Sequence, residues 1–170
     1  MGIISRFPVG ATKPYIEEIY NSDGQLIDVK MYGYEAIRNY VFSDCSSLAL
    51  TTLPSGITNI GSSAFSGCTK LALTTLPSGI TNIGDYAFSD CSSLALTTLP
   101  SGITSISFSA FLNCSSLVSL TFEGTPEIIA YDAFADCNNL TTINVPWAEG
   151  AVANAPWGAT NATINYGHTG

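Results

Sequence analysis

A cysteine returns every 23 residues through the middle of this chain. The five positions are Cys45, Cys68, Cys91, Cys114 and Cys137. A phenylalanine lies three residues before each cysteine, and a leucine lies three residues after it. A period in the twenties with apolar residues at fixed offsets is typical of a solenoid, in which each coil buries its inner face against its neighbours. Because crossovers between parallel strands are right-handed, the repeat predicts a right-handed parallel β-coil array of five 23-residue repeats.

Each repeat is predicted to contain two extended segments. After the first cysteine these are residues 48–54, which end at a proline that cannot donate to a continuing ladder, and residues 57–60. Residues 63–68 are too short for a full helix and suit a single helical turn. The residue before the cysteine is predicted to meet a turn requirement, because Asp, Asn and Gly tolerate tight turns. These residues are Asp44, Gly67, Asp90, Asn113 and Asp136.

Two atypical segments flank the repeats and divide the chain into three parts. Residues 1–36 form an N-terminal segment and cap, residues 37–146 the repeats, and residues 147–170 a C-terminal cap and tail. Residues 1–14 are predicted to be irregular, and the turn-forming residues at 21–24 predict a β-hairpin after them. Trp147 and Trp157 are predicted to cover the last coil, because the end coils of a solenoid would otherwise leave their core open to water. Residues 162–166 are predicted as one final strand.

Acidic residues dominate the second half of the chain. The formal net charge is −8, and no Lys or Arg follows Lys70. Such a surface repels phosphate groups, so nucleic acid and anionic membranes are poor partners. No apolar run approaches the ~20 residues of a membrane span. No signal peptide is visible, so we expect synthesis in the cytoplasm, with a virion or a cell surface reached by another route.

The sequence predicts no catalytic residue, no metal site and no cofactor. The single histidine, His168, lies in a Gly/Thr tail and is poorly placed to act as a catalytic base. The cysteines form no CxxC pair, and parallel side chains on a ladder do not converge into disulfides. We therefore expect buried free thiols, which behave as small hydrophobic groups.

The repeat motif also indicates a family. The motif AFxxCxxL at residues 64–71, followed by Leu-Pro at 76–77 and Ile-Gly at 83–84, resembles the BspA-like class of leucine-rich repeat. The resemblance covers residues 37–146 and implies a surface or secreted protein that binds proteins, matrix or other cells without catalysis. The C-terminal segment is similar to the ending of such arrays in gut anaerobes, and short arrays of this kind are similar to genes in bacteriophage structural modules.

The strand face is the candidate binding surface. In the first three repeats a leucine stands five residues after the cysteine, whereas in the fourth repeat Leu120 stands six residues after it. Because side chains alternate along a strand, the shifted leucines face solvent unless a bulge turns them inward. A column of threonines should lie beside them. The candidate partner-binding residues are Leu50, Thr52, Leu73, Thr75, Leu96, Thr98 and Thr121.

Two functions remain open at this point. The first is a non-catalytic binding module that recognises a protein or glycan through the strand face. The alternative is a structural or assembly protein of a phage or prophage virion or tail, which self-associates through its caps and uses the array as a spacer or receptor-binding element. Leu73→Asp tests whether Leu73 is exposed or buried. We expect it to abolish binding if Leu73 faces solvent and to unfold the protein if Leu73 belongs to the core.

Overall fold

The N-terminal part forms a three-stranded antiparallel sheet in the computed structural model, which describes residues 2–5 and 14–169. Its strands, in spatial order, are β1 (Gly2–Ser5), β2 (Tyr15–Tyr20) and β3 (Leu26–Tyr32). β2 and β3 form the predicted hairpin, and Asn21 Oδ1 accepts hydrogen bonds from the backbone N–H groups of Asp23 and Gln25 at 3.0 and 2.9 Å. The prediction of an irregular start is wrong for β1, which pairs with β2. Residues 6–13 lie outside the described residues.

The repeats form the predicted parallel β-solenoid, with about six turns rather than the five repeats counted from the cysteines. Its short strands are β4 (Ala36–Ile37), β5 (Asn59–Ile60), β6 (Asn82–Ile83), β7 (Thr98–Leu99), β8 (Ser105–Ile106), β9 (Ser119–Phe122), β10 (Ile128–Ile129), β11 (Thr142–Asn144) and β12 (Thr163–Asn165). One sheet has the order β10-β8-β6-β5-β4, and the other has the order β12-β11-β9-β7. Partners in the five-stranded sheet are 23 residues apart, so each coil stacks on the next in register.

The repeat phenylalanines form a continuous stack inside the solenoid. Phe65 and Phe88 are fully buried, and their ring centroids lie 5.6 Å apart with the rings 4° from parallel. The stack continues from Phe42 at one end to Phe134 at the other. Stacked aromatic pairs contribute about 0.5–1.5 kcal/mol each beyond the area that they bury. The period of 23 therefore fixes the core by bringing the same apolar residue to the same place in every coil.

The turn before each cysteine is left-handed, as the residue types predict. The φ angles are 59° at Asp44, 74° at Gly67, 60° at Asp90, 56° at Asn113 and 56° at Asp136. Most L-residues avoid this region, while Gly, Asn and Asp enter it at low cost. The predicted helical turn is wrong, because residues 63–68 form consecutive hydrogen-bonded turns and no helix occurs in the described part of the chain.

The shifted leucines are core residues, which contradicts their place among the candidate contact residues. Leu50, Leu73 and Leu96 have exposed fractions of 5%, 0% and 2%. The alternative of an inward turn is correct, because the exposed pair Thr74 and Thr75 follows Leu73 before Leu76 turns inward again. This second outward residue breaks the alternation expected of a strand. No strand forms at residues 48–54, where one was predicted.

The C-terminal segment packs against the last coils. Trp157 is fully buried, and its ring centroid lies 6.1 Å from that of Phe122 and 6.2 Å from that of Trp147. The predicted final strand is present as β12, which pairs in parallel with β11. Within the described residues, no helix is long and apolar enough to cross a membrane.

The cysteines are free thiols. Cys68, Cys91, Cys114 and Cys137 are buried, and each donates a hydrogen bond of 2.9–3.1 Å to the carbonyl of the phenylalanine 26 residues earlier. Burial raises the pKa of the Cys68 thiol to about 12 and holds the pKa of Cys91 well above its ordinary value. Cys68 and Cys91 are therefore protonated, and the hydrogen bonds of all four buried thiols join each coil to its neighbour.

We expect the native protein to react slowly with a thiol reagent such as Ellman's reagent. Cys45 is only partly buried and should react first, whereas the four buried thiols should react after denaturation. Fewer than five thiols after denaturation without reductant would contradict the free-thiol state.

The raised pKa of Cys68 also predicts how stability depends on pH. Because the folded state keeps the Cys68 proton up to a pKa of about 12 and the unfolded chain loses it near 9.0, the free energy of unfolding should fall as the pH rises from 9.0 towards 12. Urea unfolding across this pH range checks the sign.

Candidate binding surface

The predicted threonine column lies on the outer surface and is polar along its length. Thr52 and Thr75 are exposed, while Thr98 and Thr121 are half-buried register partners in β7 and β9. The ladder continues into β11, where Asn144 Nδ2 donates to Thr121 Oγ1 at 3.2 Å. With the leucines buried, this face offers hydroxyl groups to a partner but no large apolar side chain from the predicted set.

Three exposed apolar side chains lie at one end of the five-stranded sheet, where Ile128 belongs to β10 and the other two follow β8 and β10 by two residues. We call them the aromatic patch: Phe108, Ile128 and Tyr131. Their exposed fractions are 50%, 63% and 64%. The rings of Phe108 and Tyr131 meet edge to face, with centroids 5.6 Å apart and planes at 70°. They line an open groove of about 470 Å³, whose walls also include Asp85 and Asn154. The volume lies within the range of ligand-binding clefts, and two of the lining residues are aromatic.

Ile128 ends a polar ladder on the outer side of this sheet. Asn59, Asn82 and Ser105 occupy the same position of successive repeats, and their side chains are hydrogen-bonded in sequence. In the fifth repeat the position holds Ile128, which cannot extend the ladder and stands exposed. Local structure therefore does not require an isoleucine at this place.

Phe108 and Tyr131 share a second repeat position, six residues before the cysteine. In earlier repeats this position is polar, and in the first and third repeats its side chain bonds the next coil. Asn39 Oδ1 accepts from the Ser62 N–H at 2.9 Å, and Asp85 Oδ1 accepts from the Phe108 N–H at 3.2 Å. The Phe108 side chain has no acceptor for such a bond, and no described residue donates one to the Tyr131 hydroxyl, so the fold does not need either ring at this position.

Sequence reasoning missed the patch, although the sequence contains its signal. Two outward-facing repeat positions change from polar to large apolar residues between the third and fifth repeats, and they do so in neighbouring coils. A comparison of repeats position by position would have isolated Phe108, Ile128 and Tyr131 as departures from the pattern. Earlier repeats stack without large apolar residues at these positions, so stacking does not require them, and they point to a surface with another role.

The surroundings of the patch are anionic and rich in hydrogen-bond acceptors. Asp85 lines the groove, and exposed Glu127 directly precedes β10. β10 is an edge strand, and no described residue donates a hydrogen bond to the backbone carbonyls of Glu127 and Ile129. A surface of this kind favours a ligand that brings donors and positive charge.

The other cavities and side-chain clusters offer less to a ligand. A cavity of about 240 Å³ lies between the hairpin and the first coil, and its walls include the core residues Met31, Ile37 and Phe42. In the part of the chain that the structure describes, no group of three or more His, Cys, Asp or Glu residues could hold a metal ion. The aromatic patch is thus the strongest candidate site.

A family comparison agrees with the repeat geometry. The family model described as BspA type leucine rich repeat region matches residues 35–151 in six copies. No curated protein matches the chain.

Three solved structures have the same fold. The Treponema pallidum leucine-rich repeat protein is 27% identical with a TM-score of 0.62, over 89% of this chain and 78% of that one. A leucine-rich cell surface protein of Faecalibacterium prausnitzii is 23% identical with a TM-score of 0.66, over 91% and 41%. A leucine-rich repeat protein of Bacteroides ovatus is 22% identical with a TM-score of 0.51, over 84% and 45%. The chain spans less than half the length of the last two proteins.

Proposed function

Because the chain belongs to the BspA-type leucine-rich repeat family, we propose that it is a non-catalytic binding module that recognises a partner through the outer surface of its repeats. Leucine-rich repeat proteins are generally binding modules, and one structural neighbour is described as a cell surface protein. An adhesive role at a cell surface fits this family and this neighbour. The proposed contact surface is the aromatic patch, flanked by polar residues.

The observation that carries this proposal is the exposure of Phe108, Ile128 and Tyr131 in adjacent coils. Apolar surface costs about 25 cal/mol per Å² when it stays in water rather than being buried. Earlier repeats place polar residues at the same positions and still stack, so the solenoid does not require these exposed apolar side chains. Clustered exposed apolar groups with a polar rim mark interaction surfaces, and a few central aromatic residues supply most of the energy of an interface.

We expect Tyr131→Ser to weaken partner binding strongly while the protein stays folded. Aromatic residues at the centre of an interface contribute ~2 kcal/mol or more, which corresponds to roughly a thirtyfold loss of affinity. Immobilised protein can be tested by biolayer interferometry against a panel of extracellular matrix proteins and glycans. The binders of the wild-type protein are then measured again with Tyr131→Ser and with Ile128→Ser.

Tyr40→Ser is the matched control for this experiment. Tyr40 is 65% exposed, as Tyr131 is 64% exposed, but it lies in the first repeat. Serine already occupies its repeat position at Ser63 and Ser109, with the same left-handed backbone. Tyr131→Ser should cost at most about 1.5 kcal/mol through the lost ring contact with Phe108, and the other variants should unfold within about 0.5 kcal/mol of wild type. Binding that survives Tyr131→Ser, or that Tyr40→Ser weakens equally, would place the contact elsewhere, and ordered self-association would favour the assembly role instead.

A further inference from the structure

We propose that the aromatic patch recognises a basic segment of a partner protein, with an arginine or lysine side chain held against Phe108 and Tyr131. This inference rests on the proposed function and adds the chemistry of the partner. It follows from three properties of the same groove: its charge, its exposed ring faces and its excess of hydrogen-bond acceptors.

The charge of this half of the protein favours a cationic ligand. After Lys70 the chain contains seven acidic residues and no Lys or Arg. Asp85 lines the groove itself, and Glu127 lies exposed beside Ile128. No basic side chain of the repeats that form the groove can neutralise these carboxylates. A cleft of one sign concentrates ligands of the opposite sign and steers their approach.

The aromatic rings offer a second attraction for a cation. In the edge-to-face pair of Phe108 and Tyr131, the ring that presents its edge keeps both faces free of the other ring. Each ring is at least half exposed, so a side chain from a partner can reach it. A guanidinium or ammonium group within about 6 Å of a ring centroid is attracted by the negative ring face.

The hydrogen-bonding groups of the groove also favour a basic ligand. The carboxylate of Asp85 and the carbonyls of Glu127 and Ile129 are acceptors, and no described N–H group donates to either carbonyl. An arginine side chain carries five N–H donors and no acceptor. A glycan could also stack on the rings, but neutral sugars gain nothing from the uncompensated negative charge. Charge complementarity therefore selects the basic peptide.

The probe for this inference is a short fluorescein-labelled peptide of alternating arginine and serine. Fluorescence anisotropy should show that it binds the full chain, and that the same peptide with glutamine in place of arginine does not. Binding should weaken as the ionic strength rises from about 50 to 200 mM, because exposed charges are screened over that range.

Variants then locate the site. Tyr131→Ser and Asp85→Asn should each weaken peptide binding roughly two- to fivefold, the range expected for one exposed cation–ring or charge contact. Asparagine keeps the Oδ1 atom that accepts from Phe108, so Asp85→Asn removes charge without removing that bond. Tyr40→Ser and Glu149→Gln, which alter an exposed aromatic group and an exposed carboxylate outside the groove, should change nothing.

The outcomes separate this inference from the function on which it rests. If the arginine and glutamine peptides bind alike, or if the two control variants weaken binding as much as the groove variants, the inference is wrong. If the arginine peptide fails while a glycan or matrix protein binds in a Tyr131-dependent way, the patch is still a binding surface and only its assignment to a cation is overturned. If neither the peptide nor any ligand of the panel binds in a Tyr131-dependent way, the inference and the proposed function are both overturned.

Discussion

Leu73→Asp should leave the protein largely unfolded at room temperature. Leu73 is completely buried, and both Leu71 before it and Leu76 after it face the same core. Removing the leucine side chain alone costs about 2–5 kcal/mol. Burying a carboxylate without a partner adds several kcal/mol, so the total approaches the ~5–15 kcal/mol that holds a typical domain together. Far-UV circular dichroism and urea unfolding measure the loss.

Two further substitutions serve as controls for this prediction. Thr75→Asp changes an exposed residue two positions along the same segment and should cost less than about 0.5 kcal/mol. Leu73→Ala should remain folded but lose about 2–5 kcal/mol, which gives a measurable value even if the aspartate variant cannot be purified. A folded, fully stable Leu73→Asp would show that Leu73 lies at the surface, contrary to the structure.

The period of 23 was enough to predict the solenoid because it constrains many residues at once. A phenylalanine at the same position of every repeat is expected to be buried in a stack with its counterparts, as Phe65 is with Phe88. The turn at Asp44 and its counterparts was predictable for a similar reason, since few residue types accept a positive φ. Both inferences use rules that depend only on backbone geometry and chain periodicity.

The sequence did not predict the inward orientation of the Leu73 side chain in the same way. Alternation along a strand predicts an outward side chain, and the sequence contains no mark that says where the alternation breaks. The structure places the extra outward residue after Leu73 in the second repeat, whereas in the fourth repeat it falls between Leu117 and Leu120. Both arrangements bury three side chains, so packing of the whole coil decides between them.

The aromatic patch was missed because the repeat pattern directs attention to what recurs. Phe108 and Tyr131 occupy a repeat position that holds polar residues in the first three repeats. In a solenoid the recurring residues build the stack, while the residues that break the pattern on the outer surface are free to serve recognition. The distance between Phe108 and Tyr131 and the groove beneath them exist only once the coils are stacked.

Trp157→Ala should cost about 3–5 kcal/mol and loosen the C-terminal coils before the rest of the solenoid. Trp157 is fully buried against Phe122, and its Nε1–H donates to the Ala153 carbonyl at 2.7 Å. Its own carbonyl accepts from the Phe134 N–H at 2.8 Å. If residues 147–170 form the cap that the sequence predicts, loss of this ring opens the last coil to water, and coils held mainly by their neighbours then open in turn.

Hydrogen exchange tests this order of opening, and Trp147→Phe supplies the control. The Phe134 amide should exchange much faster in Trp157→Ala, while the Phe65 amide, three coils away, should keep its protection. Trp147 is buried, and among the described buried side-chain atoms its Nε1 is the one without a hydrogen-bond partner. Phenylalanine there removes an unpaired donor and retains an aromatic ring, so this variant should be nearly as stable as wild type. Uniform exchange across all coils in Trp157→Ala would instead mean that the solenoid unfolds as one unit, without an end that opens first.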